Sequence, residues 1–270
     1  GMDDIGPFTF NSVRFFVGFL AIIPLALLFE AKKLKKEFRF DTKTFIILSL
    51  LIGVSLFLGS ALQQVALLYT DVANAAFFTI FYVPMVPIII FIFKKDFLHW
   101  SVWPSVILCL IGGYLLTNFQ DATVRLGDTL VILGALFWST HIIFTGMIIK
   151  KYNLPLTIGA IQTLLVALFS FIIGLFSEEF VIKNILNEID SILYAGILSG
   201  GFAFVLQIYA QRNITPAPAA IIFSLEGVFA TIAAWFLLNQ ILGINNLLGC
   251  FFILSGVLLS QLVPLIKKTT

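Results

Sequence analysis

Glu226 has the strongest claim to chemistry in this 270-residue chain. It stands near the middle of PAPAAIIFSLEGVFATIAAW, residues 216–235, an apolar run long enough to cross a bilayer. A charge at that depth costs about 2.5–3.5 kcal/mol unless a partner or water meets it, so it marks a substrate or ion path. The structural alternative is a protonated carboxyl hydrogen-bonded to a neighbouring helix. On the first reading Glu226 meets substrate and changes protonation during a cycle. Trp138, His141 and Thr145 recur at helical spacing in another apolar run and so share one face. His141 can carry a proton in the physiological range or pack through a hydrogen bond, and Trp138 can stack on a substrate or fill space. Arg14, two turns into the first apolar run, offers a planar fork for a substrate carboxylate or for Glu226, or it snorkels to the outer interface. Gln63, Gln64, Gln162 and Gln207 are cheaper polar groups that hydrogen-bond a substrate or join helices, and Tyr82 shares the candidacy.

What is missing narrows the classes. There is no GxSxG serine with a partner histidine and no metal-ligand cluster, since the second histidine, His99, falls in a loop. A passive channel would show rings of like charge or a repeated carbonyl filter, and one glutamate makes neither. The two cysteines, Cys109 and Cys250, lie inside apolar runs and read as packing residues. The chain is therefore expected not to be an enzyme, to carry no cofactor or metal, and to bind no nucleic acid. Its expected partners are a small-molecule substrate, membrane lipid and protons, with a homodimer compatible with all of these.

These residues need elements to hold them, and composition says which kind. Hydrophobic residues make up 60% and charged residues only 11%, and the mean hydropathy is +1.08. That describes a polytopic membrane protein. Nine runs are long enough to span: roughly 7–29, 45–69, 72–93, 101–118, 128–149, 155–177, 191–210, 216–237 and 243–265. They do not alternate as barrel strands would, so the class is all-α. Of the sixteen Lys and Arg, thirteen fall on one side of the alternating spans, from Lys32 to Lys268, against Arg125 and Lys183 on the other. The positive-inside rule makes the first side cytoplasmic and the location the cytoplasmic membrane.

The chain also repeats itself. LPLTIGAIQTLLVALF, 154–169, matches IGPFTFNSVRFFVGFL, 5–20, and the match continues at an offset of about 143–144 residues. Asp71-Val72-Ala73-Asn74 faces Thr215-Pro216-Ala217-Pro218, Gln63 or Gln64 faces Gln207, Tyr82 aligns close to Glu226, and the Gly112-Gly113 run faces Ser255-Gly256. The copies are read as 1–119, with four helices, and 120–270, with five. An odd number of crossings inverts the second copy, an arrangement that puts a carrier's site at mid-depth between the copies.

The Gly127-Asp128 opening, Ala135-Leu136-Phe137-Trp138, Pro155-Leu156-Thr157, the small-residue entry at 216–220 and the glycine-rich last spans resemble the EamA-like branch of the drug/metabolite transporter superfamily. The resemblance covers essentially the whole chain. It implies a ten-helix inverted-repeat (5+5) fold, of which nine helices are present and the first is missing, with a central cavity and carriage of small metabolites, often outward. Family members usually have Pro after the acid of the ninth helix and Glu at the ends of the fourth and ninth. This chain has Gly227, Lys94-Lys95-Asp96 and Asn239-Gln240 there. The function expected is a secondary transporter exporting amino acids or similar zwitterionic or aromatic compounds by alternating access. A nucleotide-sugar or other phosphorylated-metabolite exchanger is the alternative, weakened because deep basic residues reduce to Arg14. A non-transporting scaffold or enzyme is the alternative of another class. Pro84, Pro87 and Gly227 are the expected hinges, and Gly53, Gly59, Gly159, Gly200, Gly201 and Gly256 the points of close helix approach.

Overall fold

The computed structural model describes residues 4–94, 98–117, 125–238 and 241–266, and all regular structure in them is helical. The helices are α1 Pro7–Phe29, α2 Ala31–Ala66, α3 Val72–Thr79, α4 Tyr82–Lys94, α5 Val102–Thr117, α6 Leu126–Tyr152 and α7 Pro155–Ser177. They continue with α8 Ile182–Asn187, α9 Ile189–Leu193, a π-helical segment Tyr194–Ala203, α10 Phe204–Ala210, α11 Pro216–Phe223, α12 Leu225–Leu238 and α13 Ile244–Ile266. Among the described residues, eight helical stretches are long and apolar enough to cross a membrane, and Val102–Leu116 is a shorter apolar helix. Each expected run is thus a helix, and the chain is an all-α, multi-pass membrane protein.

One local feature has a plain cause. The basic stretch between the first two expected runs is helical, because Ala, Lys, Leu and Glu all favour helix. It joins the next span across a kink at Asp41, whose backbone leaves the helical region at φ −154°, ψ 59°. Of the run at 101–118, the described helix covers Val102–Thr117.

The chain forms two compact units, Gly1–Val65 with Ile143–Ile214, and Ala66–Ile142 with Thr215–Thr270. Each combines segments from early and late in the sequence. The copy boundary at 119–120 lies outside the described residues.

The first unit is built on α1 and α7, each 23 residues long with proline in its first turn. Proline there sacrifices no helical hydrogen bond. Each helix is followed by a glutamate, and each glutamate caps the other helix. Glu178 accepts the amides of Phe8 and Thr9, both at 2.8 Å, and the Thr9 hydroxyl at 2.7 Å. Glu30, buried in its turn, accepts the amides of Leu156 at 3.1 Å and Thr157 at 2.8 Å. A carboxylate at a helix N-terminus both satisfies orphan amides and meets the positive end of the dipole. The two helices are therefore antiparallel and fastened at both ends. Rocking one sequence copy against the other as separate bodies would break both fastenings.

The buried side of α1 carries Thr9, Asn11, Ser12, Phe15, Gly18, Ile22 and Ala26, while Phe16, Leu20, Leu27 and Leu28 are exposed. The small and polar groups of α1 all lie on the buried side, with Phe10, Phe15 and Ile22 packed among them, while the exposed side is apolar, as lipid allows. The π-helical segment presses its glycines onto this side. A Cβ on Gly18 would stand 2.9 Å from the Gly196 carbonyl oxygen, and one on Gly196 would stand 2.6 Å from that of Arg14. At the other end of the unit Phe45 meets Tyr152 edge-on at 5.0 Å, and the Tyr152 hydroxyl donates to Asp41 at 3.2 Å.

The second unit repeats the scheme with α5 and α13. Cβ atoms on Gly112 and Gly249 would stand 2.7 and 2.8 Å from one another's carbonyl oxygens, and one on Gly256 would meet the Ser105 carbonyl oxygen at 2.9 Å. Ser105 with Gly256 and Gly112 with Gly249 place these helices antiparallel, backbone against backbone. In the same unit α11 packs on α4 and α5. The opening of α6 is fixed by Asp128, fully buried, which accepts the Thr70 hydroxyl at 2.5 Å and the Arg125 amide at 2.8 Å.

Candidate functional site

Two spans of the second unit are broken, at related places. The span from Val72 stops at Thr79 and resumes at Tyr82, and the span from Pro216 stops at Phe223 and resumes at Leu225. The residue at each break has nearly the same backbone: Ile80 at φ −57°, ψ −16° and Ser224 at φ −60°, ψ −14°. Those angles belong to a tightened 3₁₀ turn. The hydrogen bonds agree, with Val83 donating to the Ile80 carbonyl at 2.9 Å and Gly227 to the Ser224 carbonyl at 3.2 Å.

The causes differ. Pro84 has no amide for the Ile80 carbonyl, and its ring would collide with that oxygen in a regular helix. Ser224 instead bonds back through its hydroxyl to the Ile221 carbonyl at 2.6 Å, a habit that bends helices, and also approaches the Cys109 sulfur at 3.3 Å. Pro87 lies inside α4 without ending it. Gly227 lies in the first turn of α12, where a Cβ would meet Leu116 at 3.3 Å.

Glu226 follows the second break, in the first turn of α12, and its side chain is exposed. Tyr82 follows the first break as the opening residue of α4; it is buried, and it lies within electrostatic reach of Glu226. Its hydroxyl has no hydrogen-bond partner among the described residues. His141 is fully buried in α6, and Trp138, half-buried, meets it edge-on at 6.0 Å and 90°. Thr145, one turn on, is fully buried too.

In the first unit Arg14 is half-buried, between the rings of Phe10 at 5.2 Å and Phe15 at 4.9 Å. Its Nε donates to the Asn11 side-chain oxygen at 3.0 Å, and Asn11 in turn donates to the Ser60 hydroxyl at 3.3 Å. Gln162 takes the related place in α7 and is buried. Gln64 and Gln207, related in the repeat, are both half-buried. The second unit thus brings together Tyr82 and Glu226, and Trp138 and His141, while Arg14, Gln64, Gln162 and Gln207 belong to the first. The altered helix ends at Lys95-Asp96 and Asn239-Gln240 lie outside the described residues. Among the described residues no group of three or more His, Cys, Asp or Glu could hold a metal ion.

Sequence reasoning misses the two glutamate fastenings, the Asn11–Ser60 support of Arg14 and the role of Ser224. The fastenings left a signal: Pro7 with Glu30, and Pro155 with Glu178, recur at one spacing. Ser224 left none, because a serine in an apolar span is as often a packing residue.

Comparison with known proteins shows the family and the fold. The model of the EamA-like transporter family matches residues 1–118 and 125–262. An uncharacterized transporter of Archaeoglobus fulgidus is 30% identical over 97% of this chain and 79% of its own. The uncharacterized transporter YoaV of Bacillus subtilis is 25% identical over 96% of this chain and 89% of its own. A solved crystal structure shares the fold at a TM-score of 0.76 and 15% identity, over 97% of this chain and 89% of the other.

Proposed function

Since the chain belongs to the EamA-like transporter family, we propose that it exports small zwitterionic or aromatic metabolites, amino acids among them, by alternating access, with Glu226 meeting substrate and exchanging a proton. The observation that carries this reading is the placement of Glu226: exposed, in the first turn after a break in a span, within reach of Tyr82 at the related break. Broken helices at corresponding positions of two copies are where carriers bind, because the interruption frees backbone groups for a ligand. An acid just after the break is also held by the positive end of the new helix.

In the second unit, with Glu226, Trp138 supplies an aromatic face and His141 a second proton-accepting group. Within the first unit Gln64, Gln162 and Gln207 offer hydrogen bonds to a substrate, and Arg14 offers an anion-binding group. The 3₁₀ turns near Pro84 and Gly227 are the compliant points, because each lacks a regular i to i−4 bond that would resist bending. Pro87 adds a second missing amide to α4. The stapled α1–α7 pair moves as one piece.

The direct test is uptake into proteoliposomes under an imposed pH gradient. Substrates are first found by screening metabolite pools for a rise in unfolding temperature, which any ligand of the folded state produces. The Glu226→Gln variant is expected to lose the response to the gradient. Wild-type rates and wild-type pH dependence in that variant would remove Glu226 from the mechanism.

A further inference from the structure

Arg14 is the one Lys or Arg set within the expected spans, and its surroundings are unusual for such a residue. Among the described residues its single side-chain hydrogen bond is through Nε to Asn11 at 3.0 Å, and no carboxylate forms an ion pair with it. Among the described residues nothing accepts from the Nη edge of the guanidinium. Asn11 is fully buried and donates to Ser60, itself buried, whose hydroxyl donates to the Phe57 carbonyl at 3.2 Å. That relay holds the plane of the fork from one side. Phe10 and Phe15 cover its faces, and both rings are buried. The charge therefore stands on the protein-facing flank of α1, away from Phe16, Leu20, Leu27 and Leu28, which are exposed.

Two ring faces and one amide oxygen do not replace water around a guanidinium; cation–π contacts offset only part of the cost. An oriented fork with a free edge is matched by an oxyanion that takes two parallel hydrogen bonds. Its related position in α7 holds the neutral Gln162, so the place offers one positive charge and suits a monoanionic group. Resting on the transport reading above, we infer that Arg14 is the receptor for a substrate carboxylate, and that the transported class is small organic acids, amino acids included. A lipid phosphodiester shares this chemistry, and the test separates the two.

The full chain is reconstituted in nanodiscs of phosphatidylcholine alone, and its unfolding temperature is followed against acid and amide pairs: L-leucine with L-leucinamide, L-phenylalanine with L-phenylalaninamide, and benzoate with benzamide. Inorganic phosphate and nanodiscs containing phosphatidylglycerol are the further arms. The expected result is that at least one acid stabilises the wild-type chain while its amide does not. Arg14→Gln should raise the half-saturating concentration at least tenfold, and Arg14→Lys, which keeps the charge without the fork, should fall between. Equal responses to acid and amide, no response to any acid, an undiminished response in Arg14→Gln, or a response to phosphatidylglycerol or phosphate alone would overturn the assignment. Should Arg14→Gln fail to fold, the acid and amide comparison on the wild-type chain decides by itself. Counterflow in proteoliposomes separates the two levels. A chain that carries amides as well as acids keeps its transport role and loses this inference. One that binds acids through Arg14 yet carries nothing keeps the receptor and loses the transport role.

Discussion

A buried hydroxyl with no partner costs free energy, and a protein keeps one when something else uses it. Tyr82 is such a residue: 5% exposed, its oxygen without a hydrogen bond among the described residues, within electrostatic reach of Glu226. Removing an unsatisfied hydroxyl is neutral or stabilising, so Tyr82→Phe should leave the unfolding temperature unchanged or raised. Transport should fall at least about fivefold if the hydroxyl serves Glu226 or its ligand, since even one ordinary hydrogen bond is worth about 1 kcal/mol. A variant with wild-type rates would leave Tyr82 a packing residue. Removing a working donor harms turnover and spares the fold, whereas a structural residue does the reverse.

At the scale of elements, the chain spends its few interior charges on helix ends. Glu30 and Glu178 each hold the opening amides of the opposite helix. Replacing either by Ala should cost about 1–2 kcal/mol of stability, the usual value of a cap. The two ends of a 23-residue helix lie far apart, about 33 Å at 1.5 Å per residue, so the double variant should lose close to the sum. Unfolding of the single and double variants in detergent measures this. A double variant no worse than the singles would mean that the fastenings are not independent. The broken spans call for the opposite experiment. Pro84→Ala restores an amide to the Ile80 carbonyl, and should stabilise the chain while slowing transport if the break near Ile80 bends during the cycle. Equal or faster transport in that variant would make the break a static feature.

For the whole molecule, the distribution of Lys and Arg predicts sidedness. A cysteine placed at Lys35 should react with an impermeant maleimide only after the membrane is opened, and one at Lys183 should react in intact cells. The reverse pattern would invert the topology. Class and span positions were legible in the sequence because the bilayer imposes them locally: a run of about 20 apolar residues must be helical to satisfy its own backbone. The candidacy of Glu226 and Arg14 was legible for the same reason, since a charge inside such a run stands out by itself. Which groups meet was not legible. The caps from Glu30 and Glu178 join residues about 130–170 positions apart, and no local rule says that a glutamate ending one helix reaches the start of another. The same holds for Asn11 and Ser60 behind Arg14, and for Tyr82 within electrostatic reach of Glu226. The break at Ser224 rests on which way one hydroxyl turns, toward the Ile221 carbonyl of its own helix and the Cys109 sulfur of another. The sequence by itself determined which segments cross and which residues are anomalous there, because both follow from transfer into lipid. Only the tertiary structure decided the pairings, because a hydrogen bond depends on distances that helix packing alone sets.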